Sequence, residues 1–132
     1  MEQALRAKLL ETAALTAIVG GAVDWGVGSS GSPLPGLRLF EISGTPGMTY
    51  AGGSGWVRSR VQADSWGKTY RQAWEIAEVL GGRQGLLVGL RETIGEIRLR
   101  TFVLNRRTST DTVGGNVAHC HSLDVLVWHA AA

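Results

Sequence analysis

Residues Arg60–Leu80 read RVQADSWGKTYRQAWEIAEVL, and the parsing of this stretch decides the fold. Its first part continues an alternation that begins at Trp56. Val57, Ser59, Val61 and Ala63 fall on one side of an extended chain, and Trp56, Arg58, Arg60 and Gln62 on the other. Successive Cβ atoms of a strand point to opposite faces, so the pattern predicts a half-covered strand over Trp56–Asp64. The second part switches to helical spacing. Tyr70, Ala73, Trp74, Ala77 and Leu80 form an apolar stripe with Arg71, Glu75 and Glu78 opposite. Asp64 or Ser65 is placed to cap this helix, and Gly81-Gly82 to end it.

The same stretch holds Gly67-Lys68-Thr69, the ending of a phosphate-binding loop. Such a loop needs another glycine five residues earlier, so that the backbone wraps the phosphates. That position is Gln62, inside the strand. The triplet therefore reads as a strand-to-helix turn, and no nucleotide site is assigned to it.

Working outward, Glu2–Val19 reads as one helix with Leu5, Leu9, Leu15 and Val19 along its stripe, ended by Gly20-Gly21. Ala22–Trp25 is a short strand candidate. Gly26–Gly36 is a loop rich in Gly, Ser and Pro, Leu37–Ile42 a short strand, and Ser43–Gly55 a second glycine-rich loop. Loops of this length are expected to be functional or to order on assembly. Beyond the central helix, Leu86–Leu90 and Glu96–Arg106 read as strands, Arg107–Asn116 as a polar turn region and His119–His129 as the closing strand. The last two long strands predict an antiparallel hairpin. The order helix, strands, helix, strands predicts an α+β fold: one domain over residues 1–132, a mainly antiparallel sheet with two helices packed on one face.

Composition narrows the function. A hydrophobic share of 44% excludes a disordered chain. Net charge is +2, a mild basic excess that does not by itself argue for nucleic-acid binding, which wants a concentrated patch. The single cysteine, Cys120, rules out an intrachain disulfide. No apolar run approaches the ~20 residues of a membrane span. Glu2 and Glu11, with Arg6 and Lys8 set deep, argue against a signal peptide.

Three groups of residues invite a chemical reading. His119 and His121 flank Cys120 and share one face of their strand, a competent start for a metal site. A third ligand is missing: Asp124 has the wrong parity, and His129 lies roughly 26 Å further along the strand. Half-exposed imidazoles on a strand are the favoured reading, with a small metal-dependent enzyme using His119 and His121 as the alternative. Cys120 points away from both histidines, so no local nucleophile and base pair forms, and no catalytic or cofactor-binding residue is assigned. Arg58 and Arg60 share a face, as do Arg98 and Arg100. If their strands adjoin, they make a basic stripe on the sheet face away from the helices: by default a solvated outer face, and functionally a polar contact with another subunit or with DNA phosphates, the latter making a free nucleic-acid-binding module a rival reading. Trp56 lies with these arginines, a combination typical of protein–protein contacts.

The order of an N-terminal helix, a Gly/Pro loop, the strand–helix unit Val57–Leu80 and the closing strand HCHSLDVLVWH (His119–His129) resembles the tail-completion or tail-terminator proteins of long-tailed phages and phage-like gene transfer agents. The resemblance covers most of the chain, and its motifs are patterns rather than chemical signatures. It implies a structural protein without cofactor or catalysis. It implies a homo-hexameric ring that caps the tail tube and meets a head-side connector or stopper protein. DNA would pass through the centre without sequence-specific binding, and no membrane would be involved. The expected location is the head-proximal end of the particle's tail, after assembly in the bacterial cytoplasm. Another head–tail connector or a minor tail protein of the same particle is the nearest alternative. Candidate contact residues are Trp56, Arg58 and Arg60 on the strand face, Met48 and Tyr50 in the Ser43–Gly55 loop, and Thr110 and Asp111 in the hairpin tip Thr108–Asn116, with Asp111 near a lumen if the tip points there.

Overall fold

The computed structural model describes residues 1–26, 34–49, 52–113 and 115–131. The alternating stretch around Val61 becomes a strand of a six-stranded sheet. In chain order the elements are helices α1 (Glu2–Glu11) and α2 (Ala13–Val19), strands β1 (Val23–Trp25), β2 (Gly36–Thr49) and β3 (Gly52–Gly67), helix α3 (Tyr70–Gly81), and strands β4 (Arg91–Ile94), β5 (Ile97–Val113) and β6 (Asn116–Ala131). The sheet order is β1-β2-β3-β6-β5-β4. β1 runs parallel to β2 and every other neighbouring pair is antiparallel, so the sheet is mixed. An α+β architecture holds, with three helices rather than two.

The extra helix arises at Thr12. Its backbone is extended (φ −80, ψ 105), and its hydroxyl donates to Lys8 O at 2.9 Å. A β-branched residue that bonds its own preceding turn ends α1, and α2 begins from the same residue.

One core joins the layers. Leu5, Leu9, Leu15 and Val19 of the first two helices, and Ile76 and Leu80 of α3, pack with Leu37, Leu39, Val61, Ala63, Leu123, Val125 and Val127 of the sheet. The expected inward set of β3 is correct at Ser59, Val61 and Ala63, all buried. α3 departs from expectation at both its start and its stripe. β3 continues to Gly67, so the cap is Thr69, whose hydroxyl accepts from Gln72 N at 3.1 Å. The buried stripe is Ala73, Ile76, Ala77 and Leu80, while Tyr70 and Trp74 are exposed. Small residues face the sheet because the helix sits close to it. A Cβ at Gly67 would meet Ala73 N at 2.6 Å, and one at Gly81 would meet Leu123 Cδ1 at 2.9 Å.

Two expected loops are strand. Ser43–Gly55 falls mostly within the β2–β3 hairpin, where Gly47 lies so near Ser54 and the Trp56 carbonyl that a side chain would collide. The described residues of 107–116 form the far part of the β5–β6 hairpin, with Val113 opposite Asn116. That hairpin matches expectation in kind and exceeds it in length. Leu86–Leu90 is no strand; its Leu87 plugs the core, accepts from the Thr101 hydroxyl at 2.8 Å, and leads into β4. Most of the expected Gly26–Gly36 loop lies outside the described residues.

Candidate interaction surface

The face of the sheet turned away from the helices carries the expected arginines. β3 and β5 are not neighbours: β6 runs between them. The register still aligns the basic positions across three strands. Arg58 pairs with Trp128 and Trp128 with Arg100; Arg60 pairs with Leu126 and Leu126 with Phe102. Three of the guanidiniums lie on indole rings. Arg98 and Arg100 stand 4.7 Å and 5.0 Å from the Trp56 ring centre, and Arg58 stands 5.6 Å from that of Trp128. Each such contact contributes about 0.5–1 kcal/mol at an exposed site. The electron-rich ring faces let several cations share one surface.

Further along the same face two carboxylates are buried, Asp64 at 8% and Asp124 at 4% exposure. Ser122 Oγ donates to Asp64 Oδ1 at 2.7 Å, and Gln62 Nε2 donates to the same oxygen at 3.0 Å. Asp124 lies between Arg60, 3.7 Å from its Oδ2, and Arg107, 3.3 Å from its Oδ1. A bulge builds this arrangement. Val103 pairs with Val125 but Asn105 pairs with Asp124, so Leu104 is the extra residue. The slip puts Arg107 on the outer face and sends Arg106 to the helix side, where its Nη1 donates to Glu78 Oε1 at 2.6 Å.

Arg106 also approaches His121. Its Nη2 lies 3.2 Å from His121 Nδ1, and the Tyr70 ring packs edge-on with its centre 4.8 Å from that of the imidazole. His121 is only 2% exposed, against the expectation of a half-exposed imidazole. Burial, then the Arg106 charge, pushes its pKa below the ordinary histidine value. His119 lies on the same side, 6.2 Å from Tyr70 between ring centres. Among the described residues no three His, Cys, Asp or Glu side chains come together as metal ligands. Cys120 faces the other way, beside Ser122 Oγ at 3.6 Å, and burial pushes its thiol up to about 11. It is therefore a protonated thiol at neutral pH, separated from both imidazoles by the sheet.

The structure thus brings Trp56, Arg58 and Arg60 onto one surface. Met48 lies further out along β2, opposite Gly53, and Tyr50 is outside the described residues. Thr110 and Asp111 pair with His119 and Ala118 at the opposite end of the sheet, both exposed. Trp128, Asp124 and Arg107 complete the surface and were not singled out from sequence. The parity of Trp128 on the closing strand was the available signal, whereas Arg107 was hidden by the bulge.

The family model described as tail completion protein gp17 matches residues 3–129. Among solved structures, a chain of the "Virion of native gene transfer agent (GTA) particle" is similar with a TM-score of 0.65 and 19% identity. The match covers 98% of this chain and 97% of that one, a likeness of fold. No curated protein matches the chain.

Proposed function

The chain belongs to the tail completion protein gp17 family, structural proteins of phage tails, and from that premise we propose that it closes the tail tube as a ring. Six copies stand on the head-proximal end of the tube, stop its growth and present a surface to the head-side connector. DNA passes through the central hole. The chain works by shape and self-association rather than by catalysis.

The observation that carries this reading is the family match across residues 3–129. The outer face supports it. Trp56 and Trp128 with their arginines combine the residue types that dominate protein–protein contacts. Arg60 and Arg107 are engaged by Asp124, while Arg58, Arg98 and Arg100 lie against the indole rings. Trp56, Arg58 and Arg60 are assigned to subunit or partner contact. Met48, Tyr50, Thr110 and Asp111 are likewise assigned to subunit or partner contact.

Particles produced without this chain test the proposal. The expected result is filled heads and separate tail tubes of uneven length, which join when purified protein is added back. Normal joined particles lacking the chain would overturn it.

A further inference from the structure

Four arginines share one end of the outer face without a carboxylate partner. The register sets Arg91 opposite Arg100 and Arg98 opposite Thr93, on the face that also carries Arg58. Trp56 and Trp128 lie among them, with Arg98, Arg100 and Arg58 against the rings. Among the described residues no ion pair involves any of these four arginines. Arg58, Arg91 and Arg98 are exposed and Arg100 is half-buried. Like charges gathered in this way repel one another, and an opposite charge on a partner relieves the repulsion. A guanidinium stacked on a ring keeps its N–H edge free for a carboxylate.

That opposite charge stands on the other side of the same end of the sheet. There a cavity of about 740 Å³ lies between the start of α1 and the turn from β4 to β5. Glu2, Glu41 and Glu96 line it. All three are exposed, and among the described residues no Lys or Arg forms an ion pair with any of them. Glu41 accepts from the Ser59 hydroxyl at 2.8 Å, a neutral donor that leaves its charge uncompensated. The Met1 amino group offsets one of the three charges. Ala4, Ile94 and Ile97 add an aliphatic wall. His129 lines the cavity, whereas Trp128 beside it in β6 faces the arginines, so patch and cavity lie back to back.

We propose that the arginine–tryptophan patch of one copy docks into the glutamate cavity of the next: Arg98 and Arg100 reach its carboxylates, with Trp56 against its aliphatic wall. A basic and aromatic surface thereby meets an acidic and aliphatic one, the complementarity that orients partners and suppresses wrong ones. Because the two surfaces are back to back, each copy offers a different one to each neighbour. Such head-to-tail contacts generate rings when the rotation closes. The inference rests on the ring reading above and names the two surfaces that form the ring.

Charge reversal tests it, with purified protein added to particles made without the chain. Arg98→Glu/Arg100→Glu reverses the patch, and Glu2→Arg/Glu96→Arg reverses the cavity. Urea midpoints close to that of the unchanged chain show that both variants fold; Arg58→Glu/Arg98→Glu, at two exposed positions, replaces the first where Arg100 proves sensitive. Each variant alone sets like charges together and should cut tail completion by more than about tenfold. An equal mixture of the two should restore completion, because copies in alternation again join opposite signs at every contact. The quadruple variant, with both surfaces reversed, should restore it alone. Full completion by either variant alone overturns the contact. So does a loss that neither the mixture nor the quadruple variant restores, the result expected if these arginines hold DNA phosphates instead. Both of those results leave the ring standing where micrographs show several copies of the unchanged chain at the tube end. A single copy there overturns contact and ring together.

Discussion

Neutralising Asp124 and removing the two arginines that face it should carry unequal costs. The Asp124 side chain is 6% exposed, whereas those of Arg60 and Arg107 are each 50% exposed. Breaking a buried ion pair costs about 3–5 kcal/mol, because a charge is stranded away from water. Breaking an exposed one costs about 0–1 kcal/mol. This cluster has one member of the first kind and two of the second. In Asp124→Asn the arginines swing into solvent and recover hydration, so the loss is that of charge-assisted hydrogen bonds, about 1–2 kcal/mol. In the double variant Arg60→Gln/Arg107→Gln the carboxylate stays covered, with Asn105 Nδ2 at 3.5 Å as its remaining partner. That change should cost about 3 kcal/mol, the lower end of the buried range. Adding Asp124→Asn to the double variant should then restore part of the stability. Urea unfolding of the four proteins measures the differences, with an unchanged m-value showing that the end states are the same. If Asp124→Asn is destabilised as much as the double arginine variant, or if the triple variant is the least stable, the reasoning fails.

Other expectations are simpler. Gly67→Ala pushes a methyl group to within 2.6 Å of the Ala73 nitrogen. It should destabilise the chain by about 1–3 kcal/mol through displacement of α3, seen as a lower urea midpoint. Thr69→Ala removes the acceptor of the Gln72 N–H and should cost about 1 kcal/mol, with Thr69→Ser restoring it in the same assay. Burial comes first in lowering the pKa of both His121 and His129, so the unfolded chain takes up protons that the folded chain refuses. Stability should be greatest above the ordinary histidine value of 6.5 and fall as pH drops through it, and His121→Gln should flatten that fall. Unfolding midpoints at several pH values on either side of 6.5 give the slope for each protein.

The sequence made the middle of the sheet legible because strand parity is local. Ser59, Val61 and Ala63 had to share a face whatever else the chain did, and Trp56, Arg58 and Arg60 had to take the other. The long hairpin arms were not legible, because their existence depends on partners far along the chain. Glycines in 43–55 signal local freedom, and Gly52 and Gly55 use it at positive φ, yet the β2–β3 ladder still forms around them and Gly47 is required by the closeness of Ser54. The stripe of α3 was misplaced for a related reason. Trp74 is the bulkiest apolar side chain on that helix, but the close seating on Gly67 and Gly81 admits Ala73 and Ala77 and leaves the indole outside. The Leu104 bulge reverses parity in the second half of β5, so no reading by alternation alone would have placed Arg107 on the outer face with Asp124.

Electron microscopy of the native particle, at a resolution that traces this chain, tests the central claim most directly. The account predicts a closed ring of copies at the head-proximal end of the tail tube, with the helix-free sheet face of each copy turned to a neighbour, the tube or the connector. Finding the chain elsewhere in the particle, or as an isolated copy away from the tube end, would contradict it.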